Sequence, residues 1–235
     1  MLIRSILFLL AWFILTLLVG VFGFPALLTR AMAEKMSVFW ARTTLYLLRI
    51  ICGIDSQVRG HLNIANDSAL YAAKHQSTWD TMMLRITLKE PVFVLKRELY
   101  LIPVFGWFLW RTGNIAINRK SGKKSLQSMI EQAQHYASLG RPIVIFPEGT
   151  RTKPYAQTRY KSGIAHVSAQ LGVPVIPVAL NAGVVWPKSL FNKRAGTAVM
   201  EFLPAMPAAG TAKEPWLDDL TQRIETATNS LLKQL

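Results

Sequence analysis

Apolar and polar positions divide the chain into two unequal parts. From Ser5 to Thr29 runs a stretch of 25 uncharged residues dominated by Leu, Ile, Phe and Val. As one helix it would extend roughly 37 Å at about 1.5 Å per residue, enough to cross a hydrocarbon core of about 30 Å. Gly20, Gly23 and Pro25 punctuate it, and a helix of Ser5 to Val19 alone would reach only about 22 Å. Residues 31 to 51 form a second helical pattern, with Phe39, Trp40, Thr43, Leu47, Ile50 and Ile51 at mostly three- and four-residue spacings. Lys35, Arg42 and Arg49 recur every seven residues and share one stripe. The pattern predicts a membrane-associated helical segment over residues 1–52, either a single span or a re-entrant helix pair. A cleaved signal peptide ending at Ala31-Met32-Ala33 fits less well, because the apolar run exceeds an h-region of about 7 to 15 residues.

From Gly53 the pattern becomes that of an α/β domain, 53–235. Short runs predict strands at Leu70 to Ala73, Pro91 to Leu95, Ile115 to Ile117, Pro142 to Phe146, Val175 to Leu180 and Ala198 to Phe202. Several are apolar on both faces, as in strands of a largely parallel sheet covered by helices on each side. Helices are predicted at Ser77 to Leu88, Lys123 to Leu139 with Gly140 as cap, Ser162 to Leu171 with Gly172 as cap, and Trp216 to Leu235.

Composition narrows the partners. Hydrophobic residues make up 51% of the 235, which excludes a disordered scaffold. Cys52 is the single cysteine, so no internal disulfide forms. His61, His75, His135 and His166 are scattered, and no metal site is expected. The net charge of +14 is concentrated between Lys74 and Arg194, where 18 basic residues face 5 acidic ones. That field suits phosphate groups and an anionic bilayer surface. The excess of Lys and Arg after the apolar run predicts the body on the cytoplasmic side of the bilayer, and the expected location is the cell inner membrane.

Two strand-end motifs carry candidate chemistry. In His75-Gln76-Ser77-Thr78-Trp79-Asp80, residues five apart on one helix do not face each other, so His75 must precede the helix. With Ser77 as N-cap, Asp80 sits in the first turn and can accept a hydrogen bond from one ring nitrogen, leaving the other to act as a general base. A capping box alone explains Ser77 and Asp80 equally. In Phe146-Pro147-Glu148-Gly149-Thr150-Arg151, Gly149 permits close backbone approach to an anion, Thr150 offers a hydroxyl and Arg151 a planar fork. Glu148 either pairs with Arg151 in a turn or steers a basic residue or substrate hydroxyl. The cations of Lys96-Arg97 and Arg119-Lys120, with Phe105, Trp107, Phe108 and Trp110 between them, form weaker signals.

In order, four segments resemble the family of 1-acylglycerol-3-phosphate acyltransferases: His75 to Asp80, Lys96 to Gly106 with Gly113 to Arg119, Phe146 to Arg151, and Val173 to Pro177. The resemblance spans about residues 30 to 205. It implies the glycerolipid acyltransferase fold and transfer of a fatty acyl group from acyl-CoA or acyl carrier protein to the sn-2 hydroxyl of lysophosphatidic acid, giving phosphatidic acid. It implies His75 and Asp80 as catalytic residues, and Lys96, Arg119, Glu148, Gly149, Thr150 and Arg151 around the acceptor phosphate. No cofactor is expected beyond the thioester co-substrate. The expected partners are the bilayer, a lysophospholipid and the acyl donor, with no nucleic acid. Where the family usually has Ile-Asp-Arg, this chain has Ile117-Asn118-Arg119, which leaves another lyso-lipid or glycerol 3-phosphate open as acceptor. A non-enzymatic tethered binder of nucleic acid or anionic lipid would explain the charge but not the strand-end His75, Asp80 and Glu148.

Overall fold

The computed structural model describes residues 1–118, 122–156 and 158–234. Among these residues, seven strands form one sheet: β1 (Ile54–Arg59), β2 (Leu70–Ala73), β3 (Val92–Lys96), β4 (Ile115–Ile117), β5 (Ile143–Ile145), β6 (Val175–Leu180) and β7 (Gly196–Phe202). Their spatial order is β1-β7-β6-β2-β5-β3-β4. Every adjacent pair is parallel except β6 and β7. The expected mixed, largely parallel sheet flanked by helices is therefore the fold.

Helices cover both faces because the strands alternate apolar side chains to each. Tyr71, Ala73, Val144, Ile176 and Val178 share one core with α2 (Arg30–Cys52) and α3 (Thr78–Thr87). Leu70, Ala72, Ile143, Ile145 and Val175 share the other with α5 (Gly122–Ser138), α6 (Gly163–Leu171) and α7 (Lys213–Leu232). The chain runs from β2 through α3 to β3, and from β5 through α6 to β6, in opposite directions about β2 and β5. The loops after these strands therefore open a crevice at their carboxyl ends, where α/β proteins bind ligands.

All six expected strands are present within a few residues. The sheet also contains β1, whose polar Asp55-Ser56-Gln57 gives no apolar signal; it exists through pairing with β7 from Ile54 opposite Gly196 to Arg59 opposite Glu201. The aromatic stretch at Phe105, for which the sequence predicts no element, folds as a helix, α4 (Phe105–Thr112).

At the N-terminus, α1 (Leu2–Phe22) is the one helix among the described residues long and apolar enough to cross a membrane. A 3-10 turn, Phe24–Leu28, leads to α2, whose N-cap Thr29 accepts from the Met32 amide. Contacts pair the two helices antiparallel: Cys52 Sγ lies 3.6 Å from Arg4 O, Trp40 Nε1 donates to Thr16 Oγ1 at 3.0 Å, and Trp12 and Trp40 are in ring contact. Gly20 lets α1 close on the loop before α4, since a Cβ there would stand 2.5 Å from Val104 Cγ2. Phe8, Leu45 and Leu48 belong to the same core as β2 and α3.

Candidate active site

Helix α3 begins at the His75 motif because Ser77, in an extended conformation, caps it and accepts from the Trp79 amide at 3.2 Å. Asp80 completes the box by accepting from the Ser77 amide at 2.8 Å and the Gln76 amide at 2.7 Å. The same oxygen, Oδ2, lies 3.1 Å from His75 Nδ1. A carboxylate facing a ring nitrogen accepts from it, which puts the neutral imidazole's proton on Nδ1 and leaves Nε2 without one. The ring stacks on Phe146 with centroids 4.0 Å apart. Ser77 is fully buried, and its hydroxyl serves the cap.

The neighbour strand β5 delivers the second motif to the same edge. Thr152 donates to the His75 carbonyl from its amide at 2.8 Å and its hydroxyl at 3.0 Å. Arg151 Nη1 donates to Thr78 Oγ1 at 3.0 Å, so the guanidinium stands beside the first turn of α3. Gly149 has φ +70°, and a Cβ there would lie 2.8 Å from Lys161 Nζ, so both backbone sign and space favour glycine.

A cavity of about 640 Å³ opens against this edge, within the range of ligand pockets. His75, Phe146, Gly149, Thr150 and Arg151 line it at the sheet edge, and Lys96 enters from the end of β3. Farther along, Phe93, Leu95, Phe108 and Met129 make its wall apolar, and Val19 of α1 and Trp40 of α2 complete it. Besides Arg85 of α3, which is paired with Glu34, two loop cations on its wall, Lys161 and Lys188, were not singled out in the sequence. Each lies in a loop without a recognisable motif, and only the packing of the sheet edge brings them in.

Of the residues expected around a phosphate, the fold brings Lys96, Gly149, Thr150 and Arg151 to one cavity. Glu148 is not on its wall. Its side chain is fully buried behind His75, where Oε1 accepts from the His75 amide at 3.1 Å and faces Lys74 Nζ at 3.6 Å. A carboxylate so placed holds the protein, not an anion. Burial pushes Glu148 up to about 7, against the lowering effect of Lys74 and of the amides it accepts from. Arg119 lies outside the described residues.

An α/β sheet with a histidine–aspartate pair at the mouth of an apolar, cation-rimmed cavity defines a class, the acyltransferases. Residues 55–181 match the acyltransferase family, and the chain belongs to it. The 1-acyl-sn-glycerol-3-phosphate acyltransferase of Pseudomonas aeruginosa is 35% identical over 211 residues, covering 90% of this chain and 82% of that protein. The protein of the same name from Escherichia coli is 29% identical over 180 residues, 75% of this chain and 70% of its own. The crystal structure of the 1-acyl-sn-glycerophosphate (LPA) acyltransferase of Thermotoga maritima has the same fold, with a TM-score of 0.79 at 21% identity, covering 97% of this chain and 96% of that one.

Proposed function

We propose that this acyltransferase moves a fatty acyl group from acyl-CoA or acyl carrier protein to the sn-2 hydroxyl of lysophosphatidic acid, giving phosphatidic acid. The observation that carries the reading is the 3.1 Å contact of His75 Nδ1 with Asp80 Oδ2 at the wall of an apolar cavity. The names of the relatives from Pseudomonas aeruginosa and Escherichia coli support the acceptor.

In this reading His75 Nε2 removes the proton from the acceptor hydroxyl as its oxygen attacks the thioester carbonyl. The new C–O bond forms, the C–S bond breaks, and the imidazolium returns its proton to the departing thiolate. Asp80 holds the ring and its tautomer. Arg151 and Lys96, with Arg119, hold the acceptor phosphate, and Gly149 and Thr150 shape that pocket. The apolar part of the cavity takes the acyl chain. The thioester already supplies an activated carbonyl, so the reaction calls for no metal or cofactor.

Residues 1–52 serve as the membrane anchor and 53–235 as the catalytic domain, with the body on the cytoplasmic face of the inner membrane. The apolar α1 and the basic balance between Lys74 and Arg194 support this placement. The test is product identification by mass spectrometry, with either thioester donor and lysophosphatidic acid, glycerol 3-phosphate or a phosphate-free lyso-lipid as acceptor. Phosphatidic acid is the expected product. Equal or faster acylation of either alternative acceptor overturns the assignment.

A further inference from the structure

Directly behind His75, on the opposite face of the sheet, lies a charged cluster that the catalytic steps leave unused. The alternation that turns Tyr71, Ala73 and His75 toward the face covered by α2 and α3 turns Leu70, Ala72 and Lys74 toward the face of α6 and α7. Lys74 is only 1% exposed. Its ammonium is hydrogen-bonded to Glu225 Oε1 of α7, lies 3.6 Å from Glu148 Oε1, and stands 5.8 Å from the centroid of the Tyr160 ring. The Tyr160 hydroxyl donates to the same Glu225 oxygen at 2.9 Å. Burial and the two carboxylates push that hydroxyl far above its usual value, so it remains a donor.

Contacts therefore run from α7 through Lys74 and Glu148 to the backbone amide of His75, across 151 residues of sequence between Lys74 and Glu225. Neither Glu148 nor Glu225 reaches the cavity wall. An apolar group of similar volume would serve the fold without ionic desolvation, so fold stability alone does not account for the cluster. Its end point does: it holds the N–H of His75, while Thr152 holds the carbonyl.

We propose that Lys74 and Glu225, the latter fixed by Tyr160, are positioning residues that keep the Glu148 carboxylate directed at the His75 amide and so hold the imidazole in register with Asp80. The proposal rests on His75 being the base. Lys74 faces Glu148 from the end of β2, Glu225 from α7 and Tyr160 from the segment before α6, while Lys161 lies beyond Gly149 on the cavity side. Loss of the Lys74 charge strips Glu148 of its counter-ion and favours its protonated form. Loss of the Glu225 charge removes a like charge, leaves Lys74 to Glu148 alone and favours the ionised form. The two changes act in opposite directions, which general damage to the fold does not.

The test uses the full-length protein, labelled with 15N-histidine, in detergent micelles. Four histidines give four backbone amide signals, and that of His75 is identified by its loss in His75→Ala. The His75 amide is expected to show a pH-dependent step that is absent in Glu148→Gln. Lys74→Met is expected to move that step up by about one pH unit or more, and Glu225→Gln to move it down. Turnover should follow: kcat of Lys74→Met falls about 10- to 100-fold, with the acceptor KM changed less than about twofold. Glu225→Gln, at a partly exposed side chain, keeps the test available where Lys74→Met does not fold. A step that stays in place in both variants, or moves the same way in both, overturns the proposal. Opposite shifts together with undiminished turnover by His75→Ala would instead overturn the base assignment, and with it the catalytic purpose of the cluster.

Discussion

The carboxylate oxygen of Asp80 that caps helix α3 is the same atom that meets His75 Nδ1 at 3.1 Å. The cap and the partner of the His75 ring are thus one residue, so the two readings of Ser77-x-x-Asp80 do not exclude each other. Asp80→Asn should separate them. An amide oxygen still accepts from the Ser77 and Gln76 amides, so helix stability should fall by no more than about 1 kcal/mol. The amide carries no charge to stabilise an imidazolium at His75, so kcat should fall by roughly 10² to 10⁴. Thermal unfolding and turnover measured on the same preparation check both halves.

Arg151 touches the protein through Thr78 and leaves the rest of its guanidinium toward the cavity. Arg151→Ala should raise the KM for a phosphate-bearing acceptor by roughly 10- to 100-fold, the worth of one or two charge-assisted hydrogen bonds, with a smaller effect on kcat. Initial rates against lysophosphatidic acid concentration measure it, and an unchanged KM removes Arg151 from the phosphate site.

Glu148 gives a pH signature of known sign. Its folded pKa of about 7 lies above its usual 4.5, so between those values the folded state binds the proton more tightly than the unfolded one. Stability from this group is full below about 4.5 and is lost as pH rises to about 7, by roughly 3 kcal/mol. Glu148→Gln should flatten that decline and be relatively more stable at pH 8 than at pH 5, while losing activity. Unfolding midpoints of both proteins across that range test it.

Position within α1 separates packing from membrane contact. Phe8 is completely buried and meets Trp12 and Trp186, whereas Phe13 is 68% exposed. Phe8→Ala should destabilise the fold by about 3–5 kcal/mol. Phe13→Ala should leave unfolding in detergent unchanged and weaken vesicle binding by about 1.5–3 kcal/mol. Chemical unfolding and vesicle flotation distinguish the two.

Much of this was legible in the sequence because local patterns carried it. The apolar runs of β2, β3, β5 and β6 are buried on both faces, and Ser77 and Asp80 announce their helix by capping chemistry. Strand β1 escaped because its residues are polar and its partner β7 lies some 140 residues away. Helix α4 escaped because Gly106 and four aromatic residues blur its period. The resemblance put Glu148 beside the acceptor phosphate, whereas it faces the basic Lys74, one of the partners its motif left open, because a motif shows proximity to a strand end but not the face to which a side chain turns. Lys161, Lys188 and the Lys74–Glu225 contact depend on long-range packing, which no local spacing records.

The account stands most directly on thiol release from an acyl thioester by the detergent-purified protein, with and without lysophosphatidic acid, in the wild type and in His75→Ala. It predicts acceptor-dependent release in the wild type, reduced at least about 100-fold in the variant while the fold persists. Acceptor-dependent release that survives His75→Ala would contradict it.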